Sequence, residues 1–225
     1  MSIGYACLNI GTPNTNIRNV MQRNATPEKL MEVTAHNLAA LERMIDYNRK
    51  NDIKLFRISS DLIPFGSSPV NALPWWDIHA EAFQHIGAKI QKSSMRVSFH
   101  PGQYTVLNSP DENVVARAIL DLAYHDKMLE CLGVDNKNKI VLHVGGICGD
   151  KAAALERFET NFKRLPETVQ NRLIIENDDR LYNIEEVIGL AFRLQIPAVY
   201  DNLHHAINPP PVVPKILWKL PKITR

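Results

Sequence analysis

Cysteine is scarce in this 225-residue sequence: Cys7, Cys131 and Cys148 are odd in number, far apart and without CxxC spacing. A disulfide framework and a zinc ribbon are not indicated, and a reducing compartment is expected. A bias of charge is missing too. The 26 Lys and Arg stand against 24 Asp and Glu, a net of +2 that neither announces nor excludes nucleic acid. Ten glycines and fourteen prolines are scattered, apart from the run Asn208-Pro209-Pro210-Pro211, so no low-complexity segment interrupts the chain. No apolar run approaches the ~20 residues of a membrane span, and the N-terminus lacks a basic stretch followed by an apolar one. The expectation is a cytoplasmic protein, associated with the nucleoid if bacterial, with no membrane and no obligate protein partner. What is present, 45% hydrophobic and 22% charged residues, is ordinary globular composition, read as one domain over residues 1–225.

Short apolar runs of strand length alternate with longer segments of helical period. Strands are expected at residues 3–10, 53–59, 95–101, 139–145, 172–177 and 197–202, with a seventh beginning at Pro221-Lys222-Ile223. Between them, Thr26-Pro27 offers an N-cap followed by proline at the first helical position. Residues 78–90 and 111–132 carry helical spacing, with Gly133 as the C-terminal stop, Asp150 caps a helix that ends before Pro166, and Asn183 with Glu186 forms a capping box. Regular βα alternation implies a parallel sheet with helices outside it. The sequence shows no GxGxxG and no GxxxxGK[ST], so the nucleotide-binding doubly wound folds lack their signature. The fold expected is therefore α/β, a TIM (β/α)8-type barrel, incomplete, with about seven strands and the final βα units missing.

Ligand-type residues recur at the C-terminal ends of these strands, where barrel enzymes keep their active sites. They are His100, His143, Glu176, Asp201 and, just beyond, His204. One histidine at a strand end is usually a hydrogen-bonded structural group. Five such residues at equivalent places in successive units point instead to a shared site. Imidazole and carboxylate suit zinc, manganese or iron, and paired divalent ions clamp the attacking and leaving oxygens of a phosphodiester. His36, His79, His85 and His125 fall in helices and are read as structural. His205 is a weak candidate, turned away from His204 if that segment is extended.

At the level of whole strings the residues resemble the UV damage endonuclease (UvdE) family. The resemblance is carried by Ile3-Gly4-Tyr5 with Asn9, Arg57-Ile58-Ser59-Ser60, Ser98-Phe99-His100-Pro101-Gly102-Gln103-Tyr104, Leu142-His143-Val144-Gly145-Gly146, Ile175-Glu176-Asn177-Asp178-Asp179 and Tyr200-Asp201-Asn202-Leu203-His204-His205. The resemblance implies an endonuclease that nicks double-stranded DNA immediately 5′ to UV photoproducts with a cluster of divalent metals, most often Mn2+, two or three in a complete member. It further implies His100, His143, Glu176, Asp201 and His204 as metal ligands and Glu176 and Lys222 as catalytic residues. Gln103 and Tyr104 correspond to the pair that probes the duplex, and Tyr5 and Asn9 to residues lining the damage pocket. Departures from the family pattern are Ser68 and Thr224, which stand where relatives carry ligand histidines. The residues alone leave open a sister-family barrel enzyme, an abasic-site endonuclease or sugar isomerase, and an inactive truncated remnant that only binds damage. The His-Pro-Gly-Gln-Tyr string argues against the isomerase, which has no use for a duplex wedge.

Overall fold

The computed structural model describes residues 3–211. Among the described residues there are six strands, β1 (Gly4–Ala6), β2 (Leu55–Arg57), β3 (Arg96–Phe99), β4 (Lys139–His143), β5 (Leu173–Glu176) and β6 (Ala198–Val199). The pairs β1–β2, β2–β3, β4–β5 and β5–β6 are all parallel, and the strands follow one another in chain order across the sheet. A doubly wound sheet would reverse its order at a switch point. Uninterrupted sequential order is that of a TIM-type barrel, as expected, and the described residues supply six strands of it. The seventh strand anticipated at Pro221 lies outside the described residues, as do Lys222 and Thr224.

The described residues fall into two compact units, 3–100 with 123–139, and 101–122 with 140–211. In the first, α1 (Pro27–Lys50) begins as its sequence requires: Thr26 accepts a hydrogen bond from the Lys29 amide, and Pro27 occupies the first turn. One face of α1 buries Leu30, Val33, Leu38, Leu41, Met44 and Ile45, each contributing up to ~1.5–3 kcal/mol. α2 (Trp75–Ile78) and α3 (Ala80–Lys92) replace the single helix anticipated over 78–90, with His79 as the joint between them. Lys89 ties α3 to α1 through Glu42 and Asp46, both at 2.7 Å. On the strands of this unit Phe56, Val97 and Phe99 are buried, whereas Arg57, Ser98 and His100 on the alternate face are only half-buried.

α4 (Glu112–Cys131) leads to Gly133, whose φ of +63° marks the helix stop that its position suggested. In the second unit, α5 (Lys151–Phe162) is capped by Asp150, and α7 (Ile184–Leu194) opens with the complete Asn183–Glu186 capping box. Two short helices were not anticipated, α6 (Glu167–Arg172) and α8 (Asn202–Ile207). Each has six residues, too few to display a helical period. The first strand is shorter than expected. Beyond Ala6 the backbone turns at Cys7, with φ of 59°, and Leu8 and Ile10 are 61% and 95% exposed. No helix among the described residues is long and apolar enough to cross a membrane.

Candidate metal centre

Strand register brings the first two ligand-type residues together. His143 and Glu176 are partners at the ends of β4 and β5, and side chains of one register row share a face. The His143 Nε2 lies 3.7 Å from Glu176 Oε2. Glu176 is 4% exposed, behind Ile174 and Ile175, whereas His143 is half-buried. Gly145 follows with φ of +106°, and a Cβ there would lie 2.6 Å from the Asn108 side-chain oxygen. Only glycine gives both that turn and that close approach. His100 continues the half-buried series of β3, one residue past its end.

His100, His143 and Glu176 each offer one ligand atom, and the three atoms lie within 4.8 Å of one another. Two imidazoles and a carboxylate are a donor set suited to manganese, iron or zinc. Ligand atoms ~2.1 Å from a common ion stand at most ~4.2 Å apart, so a sub-ångström adjustment would close this group on a cation. The residues fit a divalent metal.

Asp201 and His204 form a neighbouring pair outside that triad. Asp201 caps α8, its Oδ1 accepting from the Leu203 and His204 amides at 2.8 and 2.9 Å. Its Oδ2 lies 3.9 Å from His204 Nδ1. The His204 ring is 5.6 Å from that of His143, centroid to centroid, and its Nδ1 is 2.8 Å from the Asn177 carbonyl oxygen. A carbonyl only accepts, so Nδ1 carries the proton and the neutral ring keeps its lone pair on Nε2, the nitrogen a metal would use. Partial burial works against charge on His204. The Asn177 carbonyl, with Asp201, Glu176 and Asp179 nearby, outweighs it and holds the imidazole above its ordinary value. The chain at His205 is not extended: Asp201 starts a helix there, because its side chain satisfies two otherwise unpartnered amides. His205 turns its ring against Tyr200, 5.2 Å away.

The remaining sequence candidates are placed separately. Gln103 and Tyr104 are the central residues of a tight turn closed by the Thr105 amide on the Gly102 carbonyl at 2.9 Å. Thr105, nearly buried, anchors this turn by donating its hydroxyl to Asp121 at 2.7 Å, while Tyr104 is 84% exposed. In the other unit, the Asn9 amide donates to the Tyr5 hydroxyl at 3.2 Å, and Tyr5 packs on Phe56 with ring centroids 5.0 Å apart. Burial pushes the Tyr5 phenol up. The Ser68 hydroxyl accepts a hydrogen bond from the Val70 amide.

Sequence reasoning missed three supporting residues. Ser60 donates to the His100 carbonyl at 3.0 Å, and His125, 1% exposed, lies with Nε2 2.9 Å from the Ser60 hydroxyl. That chain fixes the backbone of His100. The structural role that a mid-helix position away from the strand ends suggests for His125 holds, but nothing local signals its partner 65 positions away. Asn177 is the third, fully buried beside Glu176.

Comparison with known proteins gives the family and the fold. The family model described as UV-endonuclease UvdE matches residues 2–223. A UV DNA damage endonuclease of Clostridium perfringens (strain 13 / Type A) is 42% identical over 205 residues, which cover 91% of this chain and 50% of that protein. One of Bacillus cereus (strain Q1) is 35% identical over 188 residues, covering 84% of this chain and 59% of the relative. The chain thus spans between half and three-fifths of the length of these curated relatives. A crystal structure of SacUVDE superposes with a TM-score of 0.91 at 36% identity, over 95% of this chain and 73% of that one. D-psicose 3-epimerase from Clostridium cellulolyticum H10, at 14% identity and a TM-score of 0.54 over 76% of this chain and 61% of its own, shares the fold alone. With its sheet order, its strand-end ligand residues and the match over residues 2–223 in agreement, the chain belongs to the UV-endonuclease UvdE family.

Proposed function

We propose that this chain acts in DNA repair as a metal-dependent endonuclease that cuts the phosphodiester immediately 5′ to UV photoproducts in double-stranded DNA. The observation that carries the reading is the grouping of His100, His143 and Glu176 within 4.8 Å in a chain of this family. These three would hold a divalent ion, Mn2+ by family resemblance, and Asp201 and His204 would extend the donor set. Bound there, divalent metal supplies Lewis-acid stabilisation of phosphoryl oxygens and lowers the pKa of an attacking water.

The chain's own residues do the rest. Glu176 contributes the buried negative charge that selects a cation over a neutral ligand. His204 holds its proton on Nδ1 against the Asn177 carbonyl and leaves Nε2 open for a metal. Lesion selection falls to the turn after β3. A photoproduct weakens stacking and pairing, so extruding it costs less than extruding normal bases. Tyr104 offers a π-face to an unstacked base and Gln103 hydrogen-bonding groups to the orphaned partners, while Thr105 holds the turn from behind. Tyr5 and Asn9, joined by their own hydrogen bond, line the pocket that receives the damaged bases.

The test is to incubate the full chain with UV-irradiated and unirradiated supercoiled plasmid, with Mn2+ or with a chelator. Nicking is expected only for irradiated plasmid in the presence of Mn2+, with the break mapped 5′ to pyrimidine dimers. Equal nicking of both plasmids, or none by a chain shown to bind Mn2+, refutes the reading.

A further inference from the structure

The pairing of β5 with β6 ends at Glu176 opposite Val199. One residue later, the side chain of Asn177 takes over what a strand would do. Its Oδ1 accepts from the Asp201 amide at 2.9 Å and its Nδ2 donates to the Asp201 carbonyl at 3.0 Å. This donor and acceptor pair imitates one residue of a β-ladder and closes on both polar atoms of the Asp201 backbone. Meanwhile the main-chain carbonyl of Asn177 meets His204 Nδ1 at 2.8 Å. Asn177 is 0% exposed, so water does not compete for either set of bonds.

From this geometry we infer that Asn177 is the positioning residue for the second half of the metal site: its side chain fixes Asp201 and the start of α8, and its carbonyl fixes the tautomer and orientation of His204. Two observations exclude a merely space-filling role. An apolar residue of the same volume would leave the Asp201 amide and carbonyl without these partners, and losing hydrogen bonds made from a fully buried side chain is destabilising. Further, α8 has only six residues and none is buried, so packing of the helix does not hold His204 in place. Its register against the Asn177 carbonyl depends on where Asp201 starts the helix, and Asn177 sets that point. Asparagine alone meets the requirement at this length. Aspartate lacks the donor to the Asp201 carbonyl, and glutamine is one methylene longer and would displace the residue it clamps.

This inference rests on reading the site as a metal centre, and its test separates the two. The imidazole nitrogens of the 15N-histidine-labelled, metal-free full chain are observed by NMR for the wild type, Asn177→Ala and Asn177→Asp. Mn2+ binding by the same three proteins is titrated by electron paramagnetic resonance. In the wild type, His204 is expected with its proton on Nδ1 and Nε2 bare. Asn177→Ala should lose that preference and bind Mn2+ some 10–100-fold more weakly, the usual cost of removing a supporting partner. Asn177→Asp, which keeps one of the two side-chain bonds, should fall between. A wild-type His204 protonated on Nε2 overturns the inference without any variant. So does an Asn177→Ala protein with unchanged tautomer and Mn2+ affinity. If the wild type binds no Mn2+ while the tautomer shifts as expected, the metal reading fails and the positioning of His204 by Asn177 stands. Should Asn177→Ala fail to fold, the Asn177→Asp spectra and titration decide by the same criteria.

Discussion

Two segments of the second unit follow strand ends and carry opposite designs. In the turn Gly102–Thr105 the support is all beneath: the Thr105 hydroxyl is pinned to Asp121, while Gln103 and Tyr104 stand in solvent. In the segment from Glu176 to His204 the polar atoms are tied to each other, with Asn177 buried and Asp201 engaged both as a helix cap and through its backbone. On the proposed function the difference follows from what each would meet. A ligand-holding group gains from having its orientation fixed before the ion arrives. A group that probes a duplex must reach out of the protein, so only its base can be fixed. Exposure of a large aromatic there suits the proposed recognition of a base, and the buried polarity of Asn177 is tolerated because its side chain is satisfied.

The comparison can be broken at either end. The largest effect is expected at the buried end, where Glu176→Gln keeps the shape but removes the charge. Nicking of UV-irradiated plasmid and Mn2+ affinity should both fall by at least ~100-fold, the upper range for loss of a mere supporting group. Calorimetric titration with Mn2+ beside the plasmid assay checks it, and unchanged affinity would remove Glu176 from the metal site. At the exposed end, Tyr104→Ala should cut the preference for damaged over undamaged duplex by ~1–3 kcal/mol, as expected for one stacked base. The melting temperature should not move, since Tyr104 is 84% exposed. Equal loss on both duplexes, measured at one salt concentration, would make Tyr104 structural.

Thr105→Val sharpens the contrast by attacking the support and leaving the probe. It removes one nearly buried hydrogen bond, so stability should fall by ~1 kcal/mol in a urea melt. Damage preference should fall less than in Tyr104→Ala, because the turn loosens without losing its ring. The smallest effect concerns thiols and asks whether exposure after strand ends extends to the loop following β4. Cys148 in that loop is exposed, whereas burial pushes the Cys131 thiol up to about 11. At pH 8 roughly one Cys131 thiol in a thousand is then ionised, and only thiolate reacts. Ellman's reagent should label Cys148 quickly and Cys131 slowly, with the slow phase accelerating as the pH rises toward 11. Equal rates at pH 8 would contradict the burial of Cys131.

Much of the architecture could be read from residues only a few positions apart. Thr26 with Pro27, Asp150, and Asn183 with Glu186 all cap the helices their spacing announced. The strands at 139–145 and 172–177 were plain from apolar runs, and His143 and Glu176 stand at their ends as anticipated. The first strand was overread. Leu8 and Ile10 have strand-forming character, but a strand exists only while a neighbour pairs with it, and register with β2 ends at Ala6 opposite Arg57. α8 escapes the sequence for the converse reason: its cap, Asp201, reads there as a ligand-type residue, and a six-residue segment is too short to show a helical period.

By itself the sequence determined the longer helices, the strands at the centre of the sheet and which residues are of metal-ligand type. Helix caps and strand periodicity are set by interactions within about four residues, and ligand types are visible one at a time. Tertiary structure alone decided which of those residues meet. His100, His143 and Glu176 converge within 4.8 Å although the chain separates them by dozens of residues. The Asn177 side chain reaches Asp201 across 24 positions, and its carbonyl reaches His204 across 27. No local pattern encodes such distances. They arise when parallel strands fix their register and bring remote strand ends side by side.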